Sequence, residues 1–194
     1  MNYLAHLALA GPEAGLLVGG FLGDYIKGRL ENRFSPEIER GIRLHRAIDH
    51  YTDSHSAVKS SYERLDPKFR RYAGIITDIA FDHLLALNWS QYYNDSLESF
   101  SARTLQILLI EKATLTDTAW QSASQMQKHN SLAHYGELEF LERSFIYLSG
   151  RLKRPNPLIE AYLHCKEQLP GLQEDLSIFY PDMIRFCDEW KRLH

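Results

Sequence analysis

Two helix-forming segments of this chain carry acidic and imidazole side chains on faces that should be buried. In GIRLHRAIDHYTD, His45, Asp49 and Asp53 recur at every fourth residue, a step of only about 40° around a helix. Ile42 and Ile48 fall within about 60° of His45 on the same helix. This first ladder (His45, Asp49 and Asp53) is therefore predicted to point into the protein, where an unpartnered carboxylate is costly.

The segment GIITDIAFDHLL repeats the arrangement as a second ladder (Asp78 and Asp82, with His83 adjoining). Asp78 and Asp82 share one stripe of a very apolar helix, and His83 projects about 100° away from Asp82. Converging carboxylates repel one another unless protons or a cation neutralise them. A divalent metal held by carboxylates and imidazoles has that effect, so the two ladders predict a metal site between helices.

Each of these residues also has a structural interpretation. Asp49 can pair with a nearby arginine, and His45 can bond to a backbone carbonyl group. Two further polar residues stand in apolar surroundings: Asp24 follows the run GLLVGGFLG, and His6 lies within LAHLA. A solvated helix end would explain Asp24, and a hydrogen-bonded core histidine would explain His6.

The overall pattern predicts an all-α, single-domain helical bundle over residues 1–194. The chain has two valines, and no stretch alternates cleanly between apolar and polar residues. Ser35-Pro36 is typical of a helix start and predicts a helix to about His55; other helices are predicted from Pro12 to about Gly28 and from Asp66-Pro67 to about Trp89. Further periodic segments are 96–112, 116–129, 136–150, 156–168 and 172–192, with breaks expected at Asn156-Pro157 and Leu169-Pro170-Gly171.

Composition is typical of a soluble globular protein, with 44% hydrophobic and 24% charged residues. The formal net charge of −3 argues against a nucleic-acid partner. Cys165 and Cys187 do not form a disulfide framework and fit a reducing cytoplasm. The apolar N-terminal region has no basic start and is interrupted by His6 and Pro12, so neither a signal peptide nor a membrane span is predicted.

Basic residues cluster beside both ladders. Residues 27–46 contain six basic and three acidic side chains, and a second group opens the third predicted helix. Such a rim favours binding of an anionic substrate or an acidic partner, although ordinary solvated helix charge gives the same pattern. The candidate docking residues are Arg29, Arg33, Lys68, Arg70 and Arg71.

Four segments, in order and spacing, carry a family resemblance: MNYLAHLALA, GDYIKG, GIRLHRAIDHYTD and TDIAFDHLL. They resemble the acyl carrier protein phosphodiesterases, which are regarded as divergent members of the all-helical HD phosphohydrolases. The resemblance is strong over residues 1–90, and FYPDM near the C-terminus also fits. It implies removal of 4′-phosphopantetheine from the serine of holo-acyl carrier protein, a place in fatty acid metabolism, and Mn²⁺, or Mg²⁺, as the cofactor. One departure is that the His-Asp dipeptide of the HD class is replaced by the reversed pairs Asp49-His50 and Asp82-His83.

The resemblance also implies roles for individual residues. The implied metal ligands are Asp24, His45, Asp49, Asp78 and Asp82, with His6, Arg46, Asp53 and His83 nearby. Asp49 or Asp82 would deprotonate a metal-activated water. Arg46 would neutralise the phosphoryl oxygens, and His83 or His6 would protonate the leaving alkoxide. Two alternatives stay open: a hydrolase for nucleotides or other small phosphate esters, and a non-enzymatic helical adaptor whose buried acids form a structural network.

Overall fold

A computed structural model describes residues 3–194, and its regular structure is helical. The α-helices are α1 (Tyr3–Ala10), α2 (Ala14–Leu22), α3 (Pro36–Ser54), α4 (Ser56–Glu63), α5 (Ala73–Leu87), α6 (Leu97–Ile110), α7 (Asp117–Lys128), α8 (Leu138–Arg151) and α9 (Leu158–Leu193). Short 3₁₀ turns cover Pro67–Tyr72, Trp89–Gln91 and Ser131–His134. Residues 3–194 contain no strand, and the predicted all-α class is confirmed. The HD-phosphohydrolase-like arrangement stays a prediction.

Helix α3 begins where the sequence predicts. The Ser35 hydroxyl accepts a hydrogen bond from the Ile38 amide, and Pro36 fills a first-turn position that needs no amide donor. The helix ends at Ser54, and the next residue, His55, accepts from the Ala57 amide at 3.2 Å and so caps α4. Helix α4 was not predicted.

The predicted helix from Pro12 to Gly28 is wrong in its boundaries. Gly11 has φ +83°, a left-handed conformation that favours glycine, and it separates α1 from α2. Helix α2 ends at Leu22. The following loop contains further positive φ values at Gly28, Glu31 and Asn32, which a continuous helix excludes.

The predicted break at Leu169-Pro170-Gly171 is also wrong, because α9 runs through Pro170 and Pro181. An internal proline costs about 3 kcal/mol in an isolated helix. Here, however, one buried stripe continues on both sides of Pro170, from Cys165 to Leu172 and Leu176. Packing of this stripe against α3, α4, α5 and α8 offsets the lost backbone hydrogen bond. Both cysteines are buried free thiols, as predicted.

Helices α2 and α3 pack unusually closely. A Cβ atom on Gly19 would lie 2.2 Å from the Ile38 carbonyl oxygen, and one on Gly41 would lie 2.5 Å from that of Leu16. Glycine at both positions therefore allows near-contact of the two backbones, which brings the end of α2 against the first ladder. Within the described range, no helix has the length and apolarity needed to cross a membrane.

Candidate metal centre

Three side chains from α1 and α3 converge on one point. Asp49 Oδ1 lies 3.1 Å from His6 Nε2, and Asp49 Oδ2 lies 3.3 Å from His45 Nε2. The two imidazole rings stack with centroids 3.8 Å apart. These residues each offer a ligand atom close enough to share one metal ion.

The His45 ring is fixed in the orientation that a metal ligand needs. Its Nδ1 lies 2.8 Å from the Gly20 carbonyl oxygen, which can only accept, so Nδ1 carries the proton. The lone pair on Nε2 then faces Asp49 and, at 3.8 Å, Asp24. A backbone carbonyl on the far nitrogen is the usual way to orient a metal-binding histidine. Gly23 makes room for the ring, since a Cβ there would lie 2.1 Å from His45 Cγ.

His6 is buried with its hydrogen-bonding capacity unused. Neither ring nitrogen makes a well-aligned hydrogen bond among residues 3–194, although Nε2 lies 3.1 Å from Asp49 Oδ1. Burial, aided by the adjacent His45, lowers the pKa of His6 to about 3, so the ring is neutral. An unpartnered buried nitrogen is unfavourable, and a bound cation would relieve it.

Of these three residues, Asp49 lines a cavity of about 270 Å³. Its lining residues are Asp24, Asp49, Thr52, Asp53, Tyr62, Gly74 and Asp78. Four carboxylates, from both ladders and from the loop after α2, therefore face one space. Hard oxygen ligands of this kind suit Mn²⁺ or Mg²⁺.

The carboxylates of the cavity differ in their proton affinity. Burial raises the pKa of Asp24 and of Asp78, and the charges of Asp49 and Asp53 raise that of Asp78 further. Burial raises the pKa of Asp49, whereas an N–H or a positive charge on His45 or His6 lowers it well below its usual range. When both rings are neutral and turn lone pairs toward Asp49, a bound cation would have the same lowering effect. Asp49 is thus the ionised carboxylate between the two rings.

Asp82 occupies a different setting, and its place around the metal stays a prediction. Its Oδ2 accepts from the Leu4 amide at 2.8 Å, and its Oδ1 accepts from the Ala5 amide at 3.2 Å. The side chain is fully buried and is not among the residues that line the cavity, although Asp78, one turn earlier on α5, is. Asp82 points inward, as the helical periodicity predicts. Its neighbours there are the first amides of α1, a helix whose bounds were not predicted from the sequence.

His83 and Arg46 each make a hydrogen bond to a backbone carbonyl group, and their predicted roles in the reaction stay predictions. His83 Nδ1 donates to the Tyr135 carbonyl oxygen at 2.9 Å, and burial lowers its pKa, so the ring is neutral with its proton engaged. Arg46 Nη2 donates to the Ile26 carbonyl oxygen at 3.1 Å. Arg46 therefore braces the loop that carries Asp24.

All five predicted docking residues are exposed. Arg70 and Arg71 lie in the 3₁₀ turn that leads into α5, four and three residues, respectively, before the cavity residue Gly74. Lys68, in the same turn, pairs with Glu160 of α9. Arg29 and Arg33 lie in the loop after α2, where the Arg33 guanidinium stands 5.8 Å from the Phe34 ring centroid.

Two lining residues, Tyr62 and Gly74, were missed by sequence reasoning. Tyr62 lies on α4, the helix that the sequence did not reveal, and its hydroxyl points toward Gly74, 3.7 Å from where a Cβ would stand. Burial raises the pKa of Tyr62 to about 12, with smaller contributions from Asp78 and Asp53. The Ala57 and Val58 pair before it, spaced four residues from Ser61 and Tyr62, is the one faint signal of α4.

Comparison with known proteins gives a consistent result. The family described as "Acyl carrier protein phosphodiesterase" matches residues 1–183. Relatives named acyl carrier protein phosphodiesterase include one from Yersinia enterocolitica, 30% identical over 186 residues (95% of this chain, 96% of the relative). Others are from Klebsiella pneumoniae strain 342, 30% identical over 192 residues (97% and 98%), and Escherichia coli O6:H1, 28% identical over 185 residues (95% and 96%). No solved structure matches the chain.

Proposed function

Because this chain belongs to the acyl carrier protein phosphodiesterase family, we propose that it hydrolyses the phosphodiester of holo-acyl carrier protein. The products are apo-acyl carrier protein and 4′-phosphopantetheine. The observation that carries the proposal is the unpartnered, neutral His6 stacked on His45 against Asp49, at the edge of a cavity lined by carboxylates. A purely structural network would not leave such a ring without a hydrogen bond.

The donor set fits a divalent cation. His45, Asp49 and His6 would hold it, with Asp24 beside His45, and imidazole with carboxylate oxygen favours Mn²⁺ or Mg²⁺. When bound, the ion would polarise the phosphodiester and increase the acidity of water. The Gly20 carbonyl and the space left by Gly23 hold His45 in register for this role.

Side chains on the other wall of the cavity supply the proton chemistry. Asp78, with its raised pKa, is a stronger base than an ordinary carboxylate and takes the proton from the attacking water. Tyr62 stays protonated at neutral pH and donates a hydrogen bond to the phosphoryl group. The proton that Asp78 accepts from water then passes to the departing seryl oxygen, which leaves as the serine hydroxyl group. Because His6 and His83 are neutral, this transfer does not depend on a protonated imidazole.

Two groups of exposed basic residues would bind the acidic surface that the family resemblance implies for the carrier protein. Lys68, Arg70 and Arg71 lie beside the cavity, and Arg29 and Arg33 lie on the loop after α2. A cytoplasmic location and a role in fatty acid metabolism stay predictions.

The direct test is the mass of holo-acyl carrier protein after incubation with this protein and Mn²⁺. We expect loss of the prosthetic arm, and no loss with His45→Ala. His50→Ala is the matched control, because His50 is an exposed histidine on the same helix. An unchanged mass with the wild-type protein contradicts the proposal.

The same assay separates the alternatives. Release of phosphate from nucleotides, with holo-carrier protein left intact, would favour the small-ester hydrolase. Absence of stoichiometric metal together with absence of turnover would favour the structural adaptor.

A further inference from the structure

We propose that the end of α8 and its connection to α9 form a second part of the docking surface, which binds the acidic face of the carrier protein. This inference rests on the proposed function and adds a region that the clusters beside the ladders do not include. We call residues 143–159 the basic segment.

The basic segment is set apart by its charge. It contains Arg143, Arg151, Lys153 and Arg154 and no acidic residue, whereas the whole chain carries a net charge of −3. Residues 151–155 are all exposed. Arg151 contacts Tyr147 on the preceding turn, with Nη1 3.2 Å from the phenol oxygen. Segregated positive charge of this kind attracts and orients an acidic protein.

Contacts made by the start of α9, directly after the basic segment, connect it to one wall of the cavity. The start of α9 packs on the 3₁₀ turn that leads into α5: Lys68 pairs with Glu160, and the His164 ring lies 5.5 Å from the Phe69 ring. That turn continues to Gly74, which lines the cavity.

The surface also offers apolar contact area. Helices α8 and α9 pack through Phe145 and Tyr162, whose ring centroids are 6.1 Å apart. Around this contact, Tyr147, Ile159 and Leu163 are 61%, 59% and 63% exposed. Exposed aromatic and aliphatic side chains next to arginines are typical of a protein interface. They fit an amphipathic, acidic protein better than a nucleic acid.

The test is binding of apo-acyl carrier protein, the product, which requires no chemistry. We expect the double reversal Lys153→Glu with Arg154→Glu to weaken binding at least tenfold at low salt and to flatten its salt dependence. The matched control is Lys112→Glu with Lys128→Glu, which changes net charge equally on α6–α7 and should leave the affinity within twofold. Hydrolysis of bis(4-nitrophenyl) phosphate with Mn²⁺ should be the same in all three proteins, which shows that the cavity is intact.

A second pair of variants probes the apolar part. Ile159→Ser should weaken binding severalfold, whereas Ile110→Ser, at a residue 72% exposed on α6, should not. The inference would be overturned if the basic-segment reversal and the control reversal changed the affinity for apo-acyl carrier protein equally. It would also be overturned if the basic-segment reversal left that affinity unchanged. The inference would also be overturned if Lys153→Glu with Arg154→Glu left the affinity for carrier protein unchanged but abolished self-association or binding to anionic vesicles. The segment would then bind a second copy of this chain or a lipid surface. If wild-type protein binds apo-carrier protein but never cleaves the holo form, the proposed function fails while the docking inference stands.

Discussion

The inward faces of α3 and α5 carry their acidic residues in different settings. On α3, Asp49 meets two imidazole rings at the edge of an open cavity. On α5, Asp82 meets two backbone amides at the start of α1 and is sealed from solvent. A carboxylate whose oxygens already accept backbone hydrogen bonds stabilises the fold, whereas one that lies between two imidazole nitrogens at a cavity can share a cation with them.

The largest expected effect separates these two settings by activity. Asp49→Asn should lower turnover of holo-carrier protein about a thousandfold, about 4 kcal/mol in transition-state free energy, because the amide removes the ionised ligand between His6 and His45. The free energy of unfolding in urea should change by less than about 1 kcal/mol. Asp188→Asn, at an exposed aspartate of α9, is the control. Full activity in Asp49→Asn would refute the assignment.

Substitution of Asp82 on α5 should instead lower the stability of the protein. Asp82→Ala leaves the Leu4 and Ala5 amides without their acceptor and a void in the core, so we expect the free energy of unfolding to fall by about 3 kcal/mol. Asp53→Ala, at an exposed position, should cost less than about 0.5 kcal/mol. Urea denaturation measures both. If Asp82→Ala kept its stability but no longer bound Mn²⁺, Asp82 would be a metal ligand and this account of its role would be wrong.

The orientation of His45 can be disturbed without touching a ligand. In Gly23→Ala the new methyl group overlaps the His45 ring, and we expect about tenfold weaker Mn²⁺ binding, about 1.4 kcal/mol. Gly150→Ala is the control, because a Cβ there meets no atom within 4 Å. Isothermal titration calorimetry would give both affinities. Equal affinities would show that the ring has room to move.

The smallest expected effect is a pH dependence that belongs to Asp82. Burial, which outweighs its two backbone hydrogen bonds, raises the pKa of Asp82 to about 7. The folded protein therefore holds this proton more tightly than the unfolded chain. The resulting stability is present at low pH and is lost as pH rises through about 7.

The free energy of unfolding attributable to Asp82 should thus fall by up to about 1 kcal/mol per pH unit between pH 5 and 7. Asp82→Asn should remove this slope, seen as the difference between wild type and variant in urea titrations. Parallel curves would contradict the raised pKa.

The parts that sequence predicted are those decided by local chemistry. Ser35-Pro36 predicts the start of α3 because capping depends on neighbours along the chain. The inward direction of Asp49 and Asp82 follows from helical periodicity. Continuation of α9 through Pro170 depends on packing against distant helices, which no local rule contains.

The groups that an inward-pointing side chain contacts could likewise not be predicted from the sequence. Whether Asp82 meets a cation or the start of α1 depends on how α1 and α5 pack. The same packing turns His6 from a residue near the site into a member of the cluster. Tyr62 entered the site because α4 folds beside the cavity.

The central claim is that His6 and His45, with Asp49, hold one divalent cation. Pulsed electron paramagnetic resonance of bound Mn²⁺ tests it most directly, through the modulation from coordinated imidazole nitrogen. We predict one Mn²⁺ per chain with a nitrogen signal that weakens in His6→Ala and in His45→Ala and persists in His83→Ala. The account would be contradicted if one Mn²⁺ bound per chain and its nitrogen signal were the same in His6→Ala, in His45→Ala and in the wild-type protein. It would also be contradicted if no Mn²⁺ bound at all.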